Sequence, residues 1–100
     1  MAAPTAEIHD RTLVITMGET LEYDMFPAFR QLYENTGEEI TTYVVDFQKT
    51  RRIDSAALGV LLLLRQFAGD ARERVRLINA GAQVKNTLNI VNFNMFFDVV

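Results

Sequence analysis

"YVVDFQKTRRIDSAALGVLLLL", residues 43–64, decides how this chain is read. Its opening is apolar on both faces apart from Asp46, as expected of a strand buried inside a sheet. With Thr42 before it, it predicts a central strand over residues 42–47. An Asp-Ser pair, Asp54 and Ser55, then precedes an apolar run from residue 57 to residue 64. That run is far shorter than the roughly 20 residues of a membrane-spanning helix. Asp and Ser are both preferred helix caps, so a helix is expected to begin within two residues of Ser55. Leu58, Leu61 and Leu62 form one stripe of that helix, and Val60, Leu63, Leu64 and Phe67 form another. Its first half is therefore apolar almost all round, more than packing on one side of a sheet accounts for. Part of the surface over residues 57–67 is expected to be a docking face.

Outward from this segment, the pattern alternates strands and helices. "TLVITM", residues 12–17, reads as a strand, and "AEIH" before it as its hairpin partner, joined through Asp10 and Arg11. Met25, Phe29 and Leu32 fall at helical spacing, with Phe26 and Tyr33 beside them. Pro27 restricts that helix to a start near Tyr23 or Asp24, and Asn35, Thr36 and Gly37 stop it. "RVRLIN", residues 74–79, is a strand, and Val84, Leu88 and Val91 mark a third helix opening after Gly81. "MFFDVV", residues 95–100, is expected as the closing strand. From Thr42 onward the order is β-α-β-α-β with short connections, which predicts parallel pairing and crossover helices. The reading is one α/β domain over residues 1–100.

Composition narrows the function. The chain has 100 residues, 49% of them hydrophobic, a net charge of −3 and no cysteine. That excludes disulfide and thiolate chemistry and argues against a general attraction to nucleic acid. The first ten residues lack a basic segment followed by an apolar one, so no secretory signal is expected. The expectation is a cytoplasmic protein with no membrane insertion. The single histidine, His9, belongs to the edge hairpin, where a surface role is the simpler reading. "DSAAL" lacks the glycines of a nucleophile elbow, and a serine nucleophile needs a base in reach. No Cys/His cluster offers a metal site, and Gly59, Gly69 and Gly81 stand singly rather than in a phosphate loop. Neither metal nor cofactor is expected, and no enzyme. Arg51 and Arg52, and Arg72, Arg74 and Arg76, read as solvated positions; a short positive rim near Ser55 can still steer a partner. Asp54 and Ser55 supply two capping-type side chains where one suffices. One can cap while the other faces solvent, at a helix end whose free N–H groups favour an anion.

The segment quoted above resembles the central element of STAS domains, the fold shared by sulphate transporters and bacterial anti-sigma factor antagonists. There an apolar strand ends in Asp, and a short loop leads to an apolar residue, Asp-Ser, a small pair, Leu-Gly and an apolar helix. Asp46, Ile53, Asp54, Ser55, Leu58 and Gly59 match it. "GETLEYDMFPAFRQLY" and "LINAGAQVKNTLNIVNFNMFFDVV" extend the likeness over nearly the whole chain. The resemblance implies a mixed, mostly parallel sheet of four to five strands with three to four helices. In the antagonist branch it implies phosphorylation of the motif Ser by a partner kinase, often the anti-sigma factor itself, with a histidine-kinase-like ATPase fold, and reversal by a serine phosphatase. Carried over, Ser55 is the phosphoacceptor, with Asp54, Asp46 and Gly59 as motif support. Arg52, Ala56, Ala57, Leu58, Val60 and Leu61 are the expected partner-binding residues. Ala56 and Ala57 replace the family's usual Ser-Gly, leaving Ser55 the only hydroxyl of the motif. A related branch serves as accessory subunit of phospholipid-transport ABC systems without a phosphorylation cycle, and the chain's length fits that too.

Overall fold

A tight hairpin sets one edge of the sheet. In the computed structural model, which describes residues 3–37 and 39–100, β1 (Thr5–His9) and β2 (Thr12–Thr16) pair antiparallel. The turn residue Asp10 takes φ 59°, the left-handed conformation that two-residue hairpin loops require. β4 (Thr42–Asp46) lies parallel to β2, β6 (Val75–Ile78) parallel to β4, and β7 (Asp98–Val99) parallel to β6. The order is β1-β2-β4-β6-β7, so the strand read as central is central. Helices α1 (Phe26–Glu34), α2 (Ser55–Phe67) and α3 (Ala82–Ile90) make the crossovers. Pro27 falls in the first turn of α1, behind a 3-10 turn at Tyr23–Met25. Met1 and Ala2, on which part of the signal-peptide expectation rests, lie outside the described residues.

Register fixes which side chains meet the helices. Leu13, Tyr43 and Val75 stand in one row across the sheet, and Ile15, Val45, Leu77 and Val99 in another. Both rows belong to the core, together with Phe29 and Tyr33 of α1, Leu61 and Leu64 of α2, and Val84 and Leu88 of α3. All three helices therefore cover the same face, as right-handed crossovers running one way along a sheet dictate. The opposite face is mixed, with six polar positions among nine: Glu7, Val14, Val44, Arg76 and Asp98 form one row, and Thr5, Thr16, Asp46 and Ile78 another. Val44 is buried among its strand neighbours yet stands outside the core.

Three features differ from the expectation. The closing strand shrinks to β7, because Asn92 turns left-handed (φ 58°) and residues Phe93–Met95 wind into a 3-10 turn. That turn buries Phe93 and Phe97 four residues apart and turns Met95 and Phe96 outward. Next, α2 does not bury either of its two sequence stripes whole: Val60 and Leu64 from one, Leu61 from the other, and Ala57 from neither go inward. Lastly, a small second sheet forms, in which β3 (Thr20–Leu21) pairs parallel with β5 (Arg52–Ile53).

Candidate functional site

The small sheet brings two loops together at the carboxyl end of the main strands. Arg51 N–H donates to the Glu19 carbonyl at 2.7 Å, and Asp54 N–H to that of Leu21 at 3.3 Å. Beneath them the hydroxyl of Thr50, the only buried polar residue among those described, donates to the Gly18 carbonyl at 2.7 Å. Asp46 closes the neighbouring strand exits. One of its carboxylate oxygens accepts from the Gln48 N–H at 2.8 Å and from the Asn79 amide at 3.1 Å. Its contribution is therefore architectural: it fixes the turn that delivers residues 50–55 to the sheet end.

At the junction Asp54 is the cap. Its backbone is extended (φ −93°, ψ 169°) and its carboxylate accepts the Ala57 N–H at 2.8 Å. Ser55 is the first residue of α2, exposed, and its hydroxyl makes no hydrogen bond among the described residues. The question of which residue caps is thus answered in favour of Asp54. Ala56 and Gly59 are exposed beside Ser55, on the outer side of the first turns of α2. A Cβ added at Gly59 would meet nothing within 4 Å. Packing does not require glycine there, so its effect is to keep the surface one turn below Ser55 flat.

The expected partner-binding residues divide. Arg52 and Ala56 are exposed and Leu58 half-buried. Ala57, Val60 and Leu61 are within 1% of complete burial and belong to the core, which corrects their assignment to a docking face. A helix lying on a sheet must turn one stripe inward, and these are that stripe. The apolar surface α2 does leave open is Leu62, Leu63 and Phe67. Phe67 lies against Tyr33 (ring centroids 5.0 Å apart) and Tyr43 (6.2 Å), so its ring also roofs the core.

One neighbour was invisible in the sequence. A groove of about 270 Å³ opens beside Asp54, lined by Thr20, Glu22, Arg52 and Ile53 and, from α3, by Gln83 and Thr87. It exists because two-residue strands pair across more than thirty positions of sequence, and strands that short carry no periodicity. Among the described residues no group of His, Cys, Asp and Glu is placed to hold a metal ion, and no helix is long and apolar enough to cross a membrane. His9 sits on the edge strand with its ring 3.2 Å from the Glu7 carboxylate.

A mixed, mostly parallel sheet with one helical layer, and a capped Asp-Ser helix start at its carboxyl end, define the class. The chain belongs to the STAS domain family: it matches the family described as "Mlab, STAS domain" over residues 5–99. It is 34% identical to a STAS-domain containing protein of Pseudomonas aeruginosa (strain UCBPP-PA14), over 98% of this chain and 95% of that one. Among solved structures it is similar to the anti-sigma factor antagonist SpoIIAA in its unphosphorylated form (TM-score 0.80, 19% identity, 98% of this chain and 88% of that one). The phosphorylated form of SpoIIAA from Bacillus gives a TM-score of 0.72 at 18% identity, over 98% and 91% of the two chains. An anti-sigma factor antagonist from Mycobacterium paratuberculosis gives 0.76 at 15% identity, over 96% and 82%. At these identities the solved structures establish the SpoIIAA-like fold.

Proposed function

We propose that this chain is a cytoplasmic, non-enzymatic switch protein, an anti-sigma factor antagonist that binds a serine kinase when Ser55 is free and is released on its phosphorylation. The kinase is the anti-sigma factor itself, with a histidine-kinase-like ATPase fold, and a serine phosphatase restores the binding form. One observation carries the reading: Asp54 caps α2, so the exposed Ser55 hydroxyl beside it has no part in holding the helix. A phosphate there adds about −1.5 to −2 charges and three acceptor oxygens. It lands next to the Asp54 carboxylate and the flat surface of Ala56 and Gly59, where a partner seated closely against α2 is repelled. Arg52 and Leu58 flank the contact. Calorimetric titration of wild type, Ser55→Ala and Ser55→Asp against the cognate kinase tests it. The Ala variant is expected to bind as the unmodified protein does, and the Asp variant at least about tenfold more weakly. Equal affinities for all three would remove Ser55 as the switch.

The second reading, an accessory subunit of a phospholipid-transport ABC system, draws support from the open apolar side chains Leu62, Leu63 and Phe67. They lie two to three turns from Ser55 and offer a contact that needs no modification. Reading frames beside this one separate the two: a kinase and phosphatase favour the switch, a permease and ATPase the subunit.

A further inference from the structure

The main sheet and the small sheet share two stretches of chain, with a break between them. β2 runs beside β4 as far as Thr16 and Asp46, and the Met17 N–H still donates to the Asp46 carbonyl at 3.0 Å. Strand pairing then stops and resumes with Thr20 beside Arg52 and Leu21 beside Ile53. The break is short on one chain, residues 18–19, and long on the other, residues 47–51. The long side folds into a turn, closed by the Thr50 N–H on the Phe47 carbonyl at 3.0 Å. A side chain bridges the break. The Thr50 hydroxyl donates to the Gly18 carbonyl at 2.7 Å, and both residues are buried.

A buried hydroxyl or carbonyl left without a partner keeps its full desolvation penalty, so this bond is strongly preferred to its absence. Valine has the shape of threonine without the hydroxyl, so packing alone does not call for Thr50. The hydroxyl instead sets the spacing of the two loops. With it in place, the Arg51 N–H reaches the Glu19 carbonyl at 2.7 Å and the Asp54 N–H reaches that of Leu21 at 3.3 Å. These bonds lead straight into α2, because Asp54 is its cap. Asp46 braces the other end of the same turn through the Gln48 N–H. The placement of Ser55 over the sheet end is inherited, bond by bond, from Thr50.

We infer that Thr50 is a positioning residue for Ser55: its hydroxyl bond to Gly18 holds residues 51–55 in the one placement that a partner kinase recognises. The kinase half of this inference rests on the switch reading, and the placement half on the hydrogen bonds alone. Without the bond, the path from Thr50 to Ser55 samples several placements. The partner's apparent affinity then falls in proportion to the fraction in the competent one. Once the kinase has engaged that fraction, Ser55 sits as before, so phosphoryl transfer keeps its rate.

Three variants of the full chain test it. Thr50→Val removes the hydroxyl, Thr50→Ser keeps it, and Val75→Ala weakens a fully buried position at the amino end of β6, away from the break. Amide hydrogen exchange without the kinase reads the placement. In Thr50→Val the Arg51 and Asp54 amides should speed up at least about tenfold more than the Val45 amide does, a local rather than global opening. Thr50→Ser should exchange as wild type. With the cognate kinase, Thr50→Val should raise KM for Ser55 phosphorylation about tenfold and leave kcat within about twofold. Thr50→Ser should restore KM, and Val75→Ala should leave it unchanged. Exchange that rises evenly along Thr50→Val overturns the proposal, as does a wild-type KM in that variant, a fall confined to kcat, or Thr50→Ser behaving like Thr50→Val. A matching rise of KM in Val75→Ala does so too. So does a Thr50→Val chain that fails to fold, since the hydroxyl would then hold the core and not the path. If even wild type is not phosphorylated, the switch reading fails instead, and the exchange measurement alone decides whether Thr50 places residues 51–55.

Discussion

Ser55 and Asp54 are adjacent and chemically alike as caps, and the backbone decides between them. Only the residue with extended φ and ψ directly before the helix can turn its side chain back onto the first-turn N–H groups. That residue is Asp54, and Ser55 is already helical. Stability measurements should separate the two roles. Asp54→Ala is expected to cost about 0.5–2 kcal/mol, the usual loss of a cap. Ser55→Ala should stay within about 0.5 kcal/mol, as exposed substitutions away from special contacts do. Urea denaturation of both variants reads the difference. A larger loss for Ser55→Ala would mean that its hydroxyl holds the helix, and the switch reading would lose its main support.

At the scale of the elements, α2 shows what the sequence could and could not reveal. Its start and length were legible, because caps and an apolar run are local signals. Its inward stripe was not, because nearly every position from 57 to 64 is apolar, and the choice among them is made by the sheet underneath. The 3-10 turn at Phe93–Met95 was hidden similarly: "MFFDVV" has strand composition, and the left-handed Asn92 redirects it. The small β3–β5 sheet left no signal at all, while the Asp-Ser site was legible because its features are contiguous. Two substitutions on α2 should diverge accordingly. Leu61→Ala empties a fully buried position and is expected to cost about 2–5 kcal/mol. Gly59→Ala meets open space and should stabilise the helix by roughly 0.5–1 kcal/mol. In a kinase titration Gly59→Ala should nevertheless weaken binding, since it raises a methyl on the surface assigned to the partner. If it binds as wild type does, the partner does not approach the first turns of α2 closely.

Across the whole molecule the two sheet faces divide the work. The uncovered face carries threonines and the cross-strand ion pair Arg76–Asp98 at 3.1 Å, a surface suited to water. The helical face holds the core, and Leu62, Leu63 and Phe67 are the apolar side chains that α2 leaves open over it. Within that core two phenols, Tyr33 of α1 and Tyr43 of β4, meet the Phe67 ring. Burial is the main cause that pushes both above the ordinary tyrosine pKa of 10.0, with Glu34 adding to the effect at Tyr33. The sign follows from proton counting. Above pH 10 the unfolded chain releases these protons while the folded chain keeps them, so unfolding gains on folding as pH rises. Below that pH both states hold the protons, and these tyrosines impose no pH dependence. Urea midpoints should therefore show no loss from this source between pH 7 and about pH 9, and fall from about pH 10 upward. Tyr43→Phe, which keeps the ring and removes the titrating group, should reduce the steepness of that fall. An unchanged slope in Tyr43→Phe would show that the Tyr43 phenol titrates alike in the folded and unfolded chains, and that its hydroxyl reaches water past the edge of Phe67.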